Sequence, residues 1–115
     1  MIRHLTGRIL DATLSTIVLE VNGVGYLIHT TTPGTQFATK CDVSVWTHQA
    51  VRENSLDLYG FTTRDELEVF ELLLTLPKVG PKSAAGILSQ ADITLLKKAV
   101  REDDATYLSK MSGIG

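Results

Sequence analysis

The clearest period in the chain is the alternation Asp42-Val43-Ser44-Val45-Trp46-Thr47-His48. Side chains along a strand point to opposite faces in turn, so this stretch predicts a strand with one buried face. Four more short runs rich in Val, Ile, Leu and Thr accompany it, at 7–11, 16–21, 26–30 and 56–61. Asn22-Gly23 directly follows the second run. Both residues tolerate positive φ, which makes the pair a strong two-residue hairpin signal. Pro33-Gly34 breaks the chain after the third run, and Val51-Arg52-Glu53-Asn54-Ser55 reads as a polar hairpin tip before the fifth. Five short strands in about 60 residues predict a small antiparallel barrel of OB type.

From residue 63 the period becomes helical. Thr63-Arg64-Asp65-Glu66 is a capping box, with Thr at the N-cap and Glu three positions on. Leu67, Phe70, Leu73 and Leu74 then share one helical face, and Leu76-Pro77 ends the helix. Pro81 opens a second helix, at the first position, where its missing N–H and fixed φ cost little. That helix is expected to run to about Leu88, with Ala84, Ala85, Ile87 and Leu88 inward. Asp92 can cap a third helix with Ile93, Leu96 and Val100 on its face. Asp103 or Asp104 starts a fourth, containing Tyr107, Leu108 and Met111. The expected fold class is therefore α+β: a five-stranded barrel over 1–62, then an all-α domain over 63–115.

Composition narrows the setting. At 115 residues, 43% hydrophobic and 21% charged, the chain reads as one domain or two small globular ones. No apolar run approaches the roughly 18 residues of a membrane span. Met1-Ile2-Arg3-His4 lacks the apolar core of a signal peptide. Cys41 is the single cysteine and cannot form an intrachain disulfide, so a reducing cytoplasm is the expected location. With a net charge of -2, any nucleic-acid binding must rest on local patches or backbone donors.

Such a place exists at Leu76-Pro77-Lys78-Val79-Gly80-Pro81-Lys82-Ser83-Ala84. A helix, a tight turn and a helix N-terminus leave backbone N–H groups pointing outward beside a lysine, which suits a phosphate. The pattern recurs. Leu73, Leu76, Val79 and Gly80 align with Leu108, Met111, Ile114 and Gly115 at an offset of 35 residues. Two copies of helix, turn, helix would form a compact unit presenting two equivalent turns. The spacing apolar-x-x-Gly-apolar-Gly-x-x-x-Ala is that of the helix-hairpin-helix motif. The first copy matches except that Lys78 stands at the first glycine. The second has Gly113-Ile114-Gly115 but no helix behind it, which suggests a chain cut short of its natural end. Turn N–H groups, the positive end of the helix dipole and the charge of Lys82 would bind phosphate oxygens. Nothing in the motif reads a base edge, so binding should ignore sequence.

Other chemistry is sparse. His4, His29 and His48 are scattered, with no carboxylate or cysteine at ligand spacing, so neither a metal nor a catalytic site is expected. Trp46 and Tyr59 suit core packing, with base stacking in a general single-strand-binding OB module as an alternative. A nuclease or glycosylase would need an acid, a nucleophile or a metal cluster near the motif. Lys82 and Asp103-Asp104 are the only nearby candidates, and neither has a convincing partner.

The whole arrangement resembles the RuvA family of bacterial Holliday junction-binding proteins. The resemblance rests on Asn22-Gly23-Val24-Gly25-Tyr26, Val51-Arg52-Glu53, Leu58-Tyr59-Gly60-Phe61, Val79-Gly80-Pro81-Lys82 and Gly113-Ile114-Gly115, in the family's order. It implies a homotetramer that holds four-way junction DNA open and loads a RuvB ATPase for branch migration in recombination and repair. It implies no cofactor of the chain's own, since ATP is used by the partner motor. A RuvC-type resolvase is a further implied partner, and no membrane is involved. The implied backbone-binding residues are Lys78, Val79, Gly80, Lys82, Ser83, Gly113, Ile114 and Gly115. The implied acidic pin at the junction centre falls on Glu53-Asn54, where the family commonly has two adjacent acids. The family's C-terminal motor-binding domain has no counterpart in these 115 residues.

Overall fold

A computed structural model describes residues 1–37, 42–90, 94–96 and 98. It divides into two compact units, Met1–Arg64 and Asp65–Gly115.

The first unit is a closed barrel of five strands: β1 (His4–Ala12), β2 (Thr16–Val21), β3 (Val24–Thr30), β4 (Val43–Val51) and β5 (Leu56–Phe61). Their order around the barrel is β1-β2-β3-β5-β4, and β4 closes it by pairing with β1. Four pairings are antiparallel, but β3 runs parallel to β5, so the expected all-antiparallel barrel is corrected at one seam. The reason is topological. Residues 31–42 separate β3 from β4, long enough to carry the chain across, and β5 then returns alongside β3. A short 3-10 turn (Gly34–Gln36) lies in that crossover.

The turns follow the residue chemistry. Asn22 and Gly23 have φ of 51° and 87° and join β2 to β3, the conformation a type I′ hairpin demands. β1 carries an irregularity between Ile9 and Asp11, which leaves Leu10 without a Cα partner on β2. Inside the barrel, Ile17, Leu19, Ile28, Phe37, Val43, Val45 and Leu58 form one buried cluster. The alternation that predicted β4 is observed: Val43, Val45 and Thr47 are buried while Ser44 is exposed. Thr47 is a fully buried polar residue, and its hydroxyl donates to the carbonyl of Ile2 at 2.8 Å. Its backbone N–H donates to the carbonyl of Arg3 at 2.7 Å, so β4 anchors the N-terminal residues.

The second unit contains α1 (Arg64–Leu74, whose first residue belongs to the barrel unit) and α2 (Pro81–Gln90). Thr63 stands at the N-cap position of α1, as the capping box requires, with Asp65 and Glu66 in its first turn. Leu67, Val69, Phe70 and Leu73 are buried; Val69 was not on the expected face, and Leu74 is only half-buried. On α2, Ala84 and Ile87 are buried and Ala85 and Leu88 half-buried. Residues 94–96 and 98 are helical, and Leu96 is buried. The expected cap at Asp92, the fourth helix and the second turn at Gly113, Ile114 and Gly115 lie outside the described residues.

Candidate nucleic-acid interface

α1 ends in a tightening turn. The N–H groups of Thr75 and Leu76 donate to the carbonyls of Leu72 and Leu73, both at 3.1 Å. Val79 then donates to Leu76 at 3.3 Å and is buried at 9% exposure, so its side chain pins the connection. Lys78, just before it, is exposed and has φ of 65°. The motif's first glycine position therefore does require a left-handed backbone here, and a lysine occupies it. For a residue with a Cβ this conformation costs about 1–2 kcal/mol.

Gly80 shows the opposite. Its φ is not in the left-handed region, and a Cβ built on it would meet nothing within 4 Å among the described residues. Among the described residues, neither backbone geometry nor packing requires a glycine at this position. The N–H of Ala84 donates to the Gly80 carbonyl at 2.9 Å, which makes Gly80 the N-cap of α2 and Pro81 its first residue. A cap without a side chain cannot accept from the N–H groups of the first turn. Those of Lys82 and Ser83 find no acceptor among the described residues. Open N–H groups, the positive end of the α2 dipole and the exposed Lys82 lie together at this corner, an arrangement whose charge and donors suit an anion. Lys78, Val79, Gly80, Lys82 and Ser83 are thus brought together on one turn.

Lys98, further along the second unit, is exposed. Lys97, Arg101, Lys110 and the Asp103-Asp104 pair fall outside the described residues.

The candidate pin lies in the barrel unit. Arg52 donates its backbone N–H to the Ser55 carbonyl at 2.8 Å, closing the β4–β5 tip. Residues 51–56 are all exposed, so Glu53 and Asn54 sit at a solvated point. Asp57 is not in the tip itself. It pairs with Ala50, one rung behind the Val51–Leu56 pair. There it acts on Tyr59, whose hydroxyl is pushed above its ordinary value near 10 by burial first and by the Asp57 charge second, with Arg52 opposing.

The aromatic residues are engaged within the barrel unit. Tyr59 is only 6% exposed, and its ring lies 5.2 Å from that of His29, its partner on β3. His48 faces it from β4, so one rung reads His48, Tyr59, His29. Sequence spacing had left these histidines scattered; the β3–β5 pairing brings His29, and the β4–β5 pairing His48, to one tyrosine. Trp46 is half-buried, with the His4 ring edge-on at 4.8 Å and the Arg64 guanidinium 5.8 Å from its centroid. Neither ring stands as an open platform for a base, so the core-packing reading of Tyr59 holds.

The family described as the RuvA N terminal domain matches residues 1–60. The chain belongs to this family. Along its full length it is 40% identical over 116 residues to the Holliday junction branch migration complex subunit RuvA of Alkaliphilus oremlandii (strain OhILAs), covering 60% of that protein. The same-named subunit of Lactiplantibacillus plantarum is 38% identical over 115 residues, with 57% of it covered. That of Acinetobacter baumannii (strain ACICU) is 40% identical over 121 residues, with 58% covered. The chain therefore spans somewhat over half the length of the RuvA relatives it matches. The family match ends at Gly60, so the α1–α2 turn rests on the longer pairwise similarity, which runs through it.

Proposed function

We propose that this chain is a non-catalytic, structure-selective DNA-binding module that holds four-way junction DNA by its backbone, without regard to sequence. The observation that carries this reading is the α2 N-terminus: N–H groups at Lys82 and Ser83 with no acceptor among the described residues, a bare Gly80 and an exposed lysine on one short turn. A phosphate oxygen satisfies those donors and meets the Lys82 charge, while a base edge finds nothing complementary to read. Lys78 and Val79 shape the same turn. By the sequence repeat, Gly113, Ile114 and Gly115 would give a second phosphate contact on the same arm.

In the same reading, Glu53 and Asn54 stand at the junction centre as the pin. The negative charge of Glu53 repels phosphates and helps part the exchanging strands. One acid rather than two per chain makes the repulsion weaker in each subunit. Four such chains surround one junction, and a region beyond these residues engages a RuvB ATPase, which uses the ATP. A RuvC-type resolvase acts on the same DNA. The setting is bacterial cytoplasm, and among the described residues no helix is long and apolar enough to cross a membrane.

A competition shift assay tests the proposal. A labelled four-way junction is challenged with single-stranded, duplex and junction competitors of matched nucleotide content. Displacement by unlabelled junctions of unrelated sequence, and poor displacement by single strands, supports it. Equal or better competition by single strands replaces it with the general single-strand-binding reading.

A further inference from the structure

Val51 on β4 and Leu56 on β5 stand directly opposite each other, at the last rung before the tip that holds Glu53. They are 70% and 60% exposed. The register explains why. β1 pairs with β4 only over residues 43–46, and β3 pairs with β5 only over residues 58–60. The rungs Ala50–Asp57 and Val51–Leu56 therefore continue past the barrel as a two-stranded ribbon. The two-residue period of a strand carries the barrel's inner face onto that ribbon. Buried Val43, Val45 and Thr47 lead to Val51 on β4, and core residue Leu58 leads to Leu56 on β5. Residues opposite each other on an antiparallel pair share a face, so the two aliphatic side chains form one small apolar patch. Within the barrel this face is the core; on the ribbon it meets solvent.

We propose that Val51 and Leu56 form an apolar wedge that takes the faces of bases unstacked at the crossover of a bound four-way junction. The inference rests on the placement of this tip at the junction centre in the reading above. It deepens that reading, because it adds a contact for bases to a hairpin otherwise assigned only the repulsion of phosphates. The chemistry selects the occupant. Two aliphatic side chains offer a phosphate neither charge nor hydrogen-bond donor. Along the duplex arms the base faces are stacked on one another, and only where strands part does DNA expose an apolar surface. Aliphatic side chains at such a point offset the cost of unstacking by the area they bury. Every base has a face, so the contact carries no sequence preference. One hairpin thus repels backbone at Glu53 and receives bases at the rung below it.

Junctions carrying 2-aminopurine, which brightens when unstacked, at the crossover or in mid-arm provide the test. They are saturated with the unaltered chain, Val51→Thr, Leu56→Gln or the conservative Leu56→Met. Both positions are exposed, so the variants should fold, which urea midpoints check; sedimentation follows their assembly. The unaltered chain should brighten the crossover probe and leave the mid-arm probe dim. Val51→Thr and Leu56→Gln should each lose about half of that gain or more, and bind about two- to tenfold more weakly. Their salt slope should stay the same, because no charge is removed. Leu56→Met should keep the brightening and the affinity. Full brightening by both polar variants, with junctions still preferred to duplex and single strands, would overturn the wedge and leave the junction reading intact. A loss of brightening that tracks dissociation of an assembly would also overturn it, making the patch a contact between copies. No preference for junctions by the unaltered chain would overturn both readings.

Discussion

The backbone N–H of Ala84 donates to the carbonyl of Gly80 at 2.9 Å, and that bond makes a residue with no side chain the cap of α2. Helices normally begin with Ser, Thr, Asp or Asn, whose oxygen satisfies an N–H of the first turn. Here the donors of Lys82 and Ser83 have no acceptor among the described residues. A substitution that restores an ordinary cap should therefore help the fold and harm the function. Gly80→Asp is predicted to leave stability unchanged or raise it by about a few tenths of a kcal/mol. It should strongly reduce junction binding, because the carboxylate takes the donors and repels phosphate. Chemical denaturation beside a shift assay checks both halves.

Lys82→Ala should weaken binding by a similar factor for junctions of any sequence. Its salt slope should fall by about one per contacting chain. A loss confined to particular sequences would mean that Lys82 reads bases instead. Affinities measured on two unrelated junctions at several salt concentrations distinguish these outcomes.

Tyr59 gives the barrel a definite alkaline limit. Burial is the main reason its hydroxyl holds its proton more tightly folded than unfolded. The folded state thus binds the proton more strongly, and that contribution to stability is fully present below the unfolded value near 10. It is lost as pH rises through the higher folded value. Denaturation midpoints should fall above about pH 10, and Tyr59→Phe should flatten that part of the profile.

Gly60 lies at the parallel seam, opposite Thr30 on β3. A Cβ there would sit 2.5 Å from Cγ2 of buried Ile28 and 3.6 Å from Cβ of Val45. Neither β-branched side chain has much room to give. Gly60→Ala is predicted to cost about 1–3 kcal/mol in urea denaturation, by overpacking.

Much of the barrel was legible because its signals are local. The run at 56–61 became β5 with the same bounds, and Asn22-Gly23 adopted the positive φ its residues invite. β1 was read too short because Gly7 and polar residues interrupt its period, yet it runs from His4 to Ala12. The parallel β3–β5 pairing was not legible, since no residue pattern marks which strands meet after a long crossover. The place of His29 beside Tyr59 was hidden for the same reason. On α1, Val69 escaped notice because only one strict face was counted, whereas the helix buries a wider stripe. At the candidate site the residues themselves were legible. Which glycine the geometry needs was not: φ is a property of the folded turn, and it falls on Lys78 rather than Gly80.

The central claim is that backbone N–H groups at the α1–α2 turn meet DNA phosphates. Titrating ¹⁵N-labelled chain with a four-way junction and following each amide by NMR tests it most directly. The account predicts the largest shifts at Gly80, Lys82 and Ser83, appearing alike with junctions of different sequence and fading as salt is raised. Shifts centred on Trp46, His48 and Tyr59 of the barrel, with the turn amides unmoved, would contradict it.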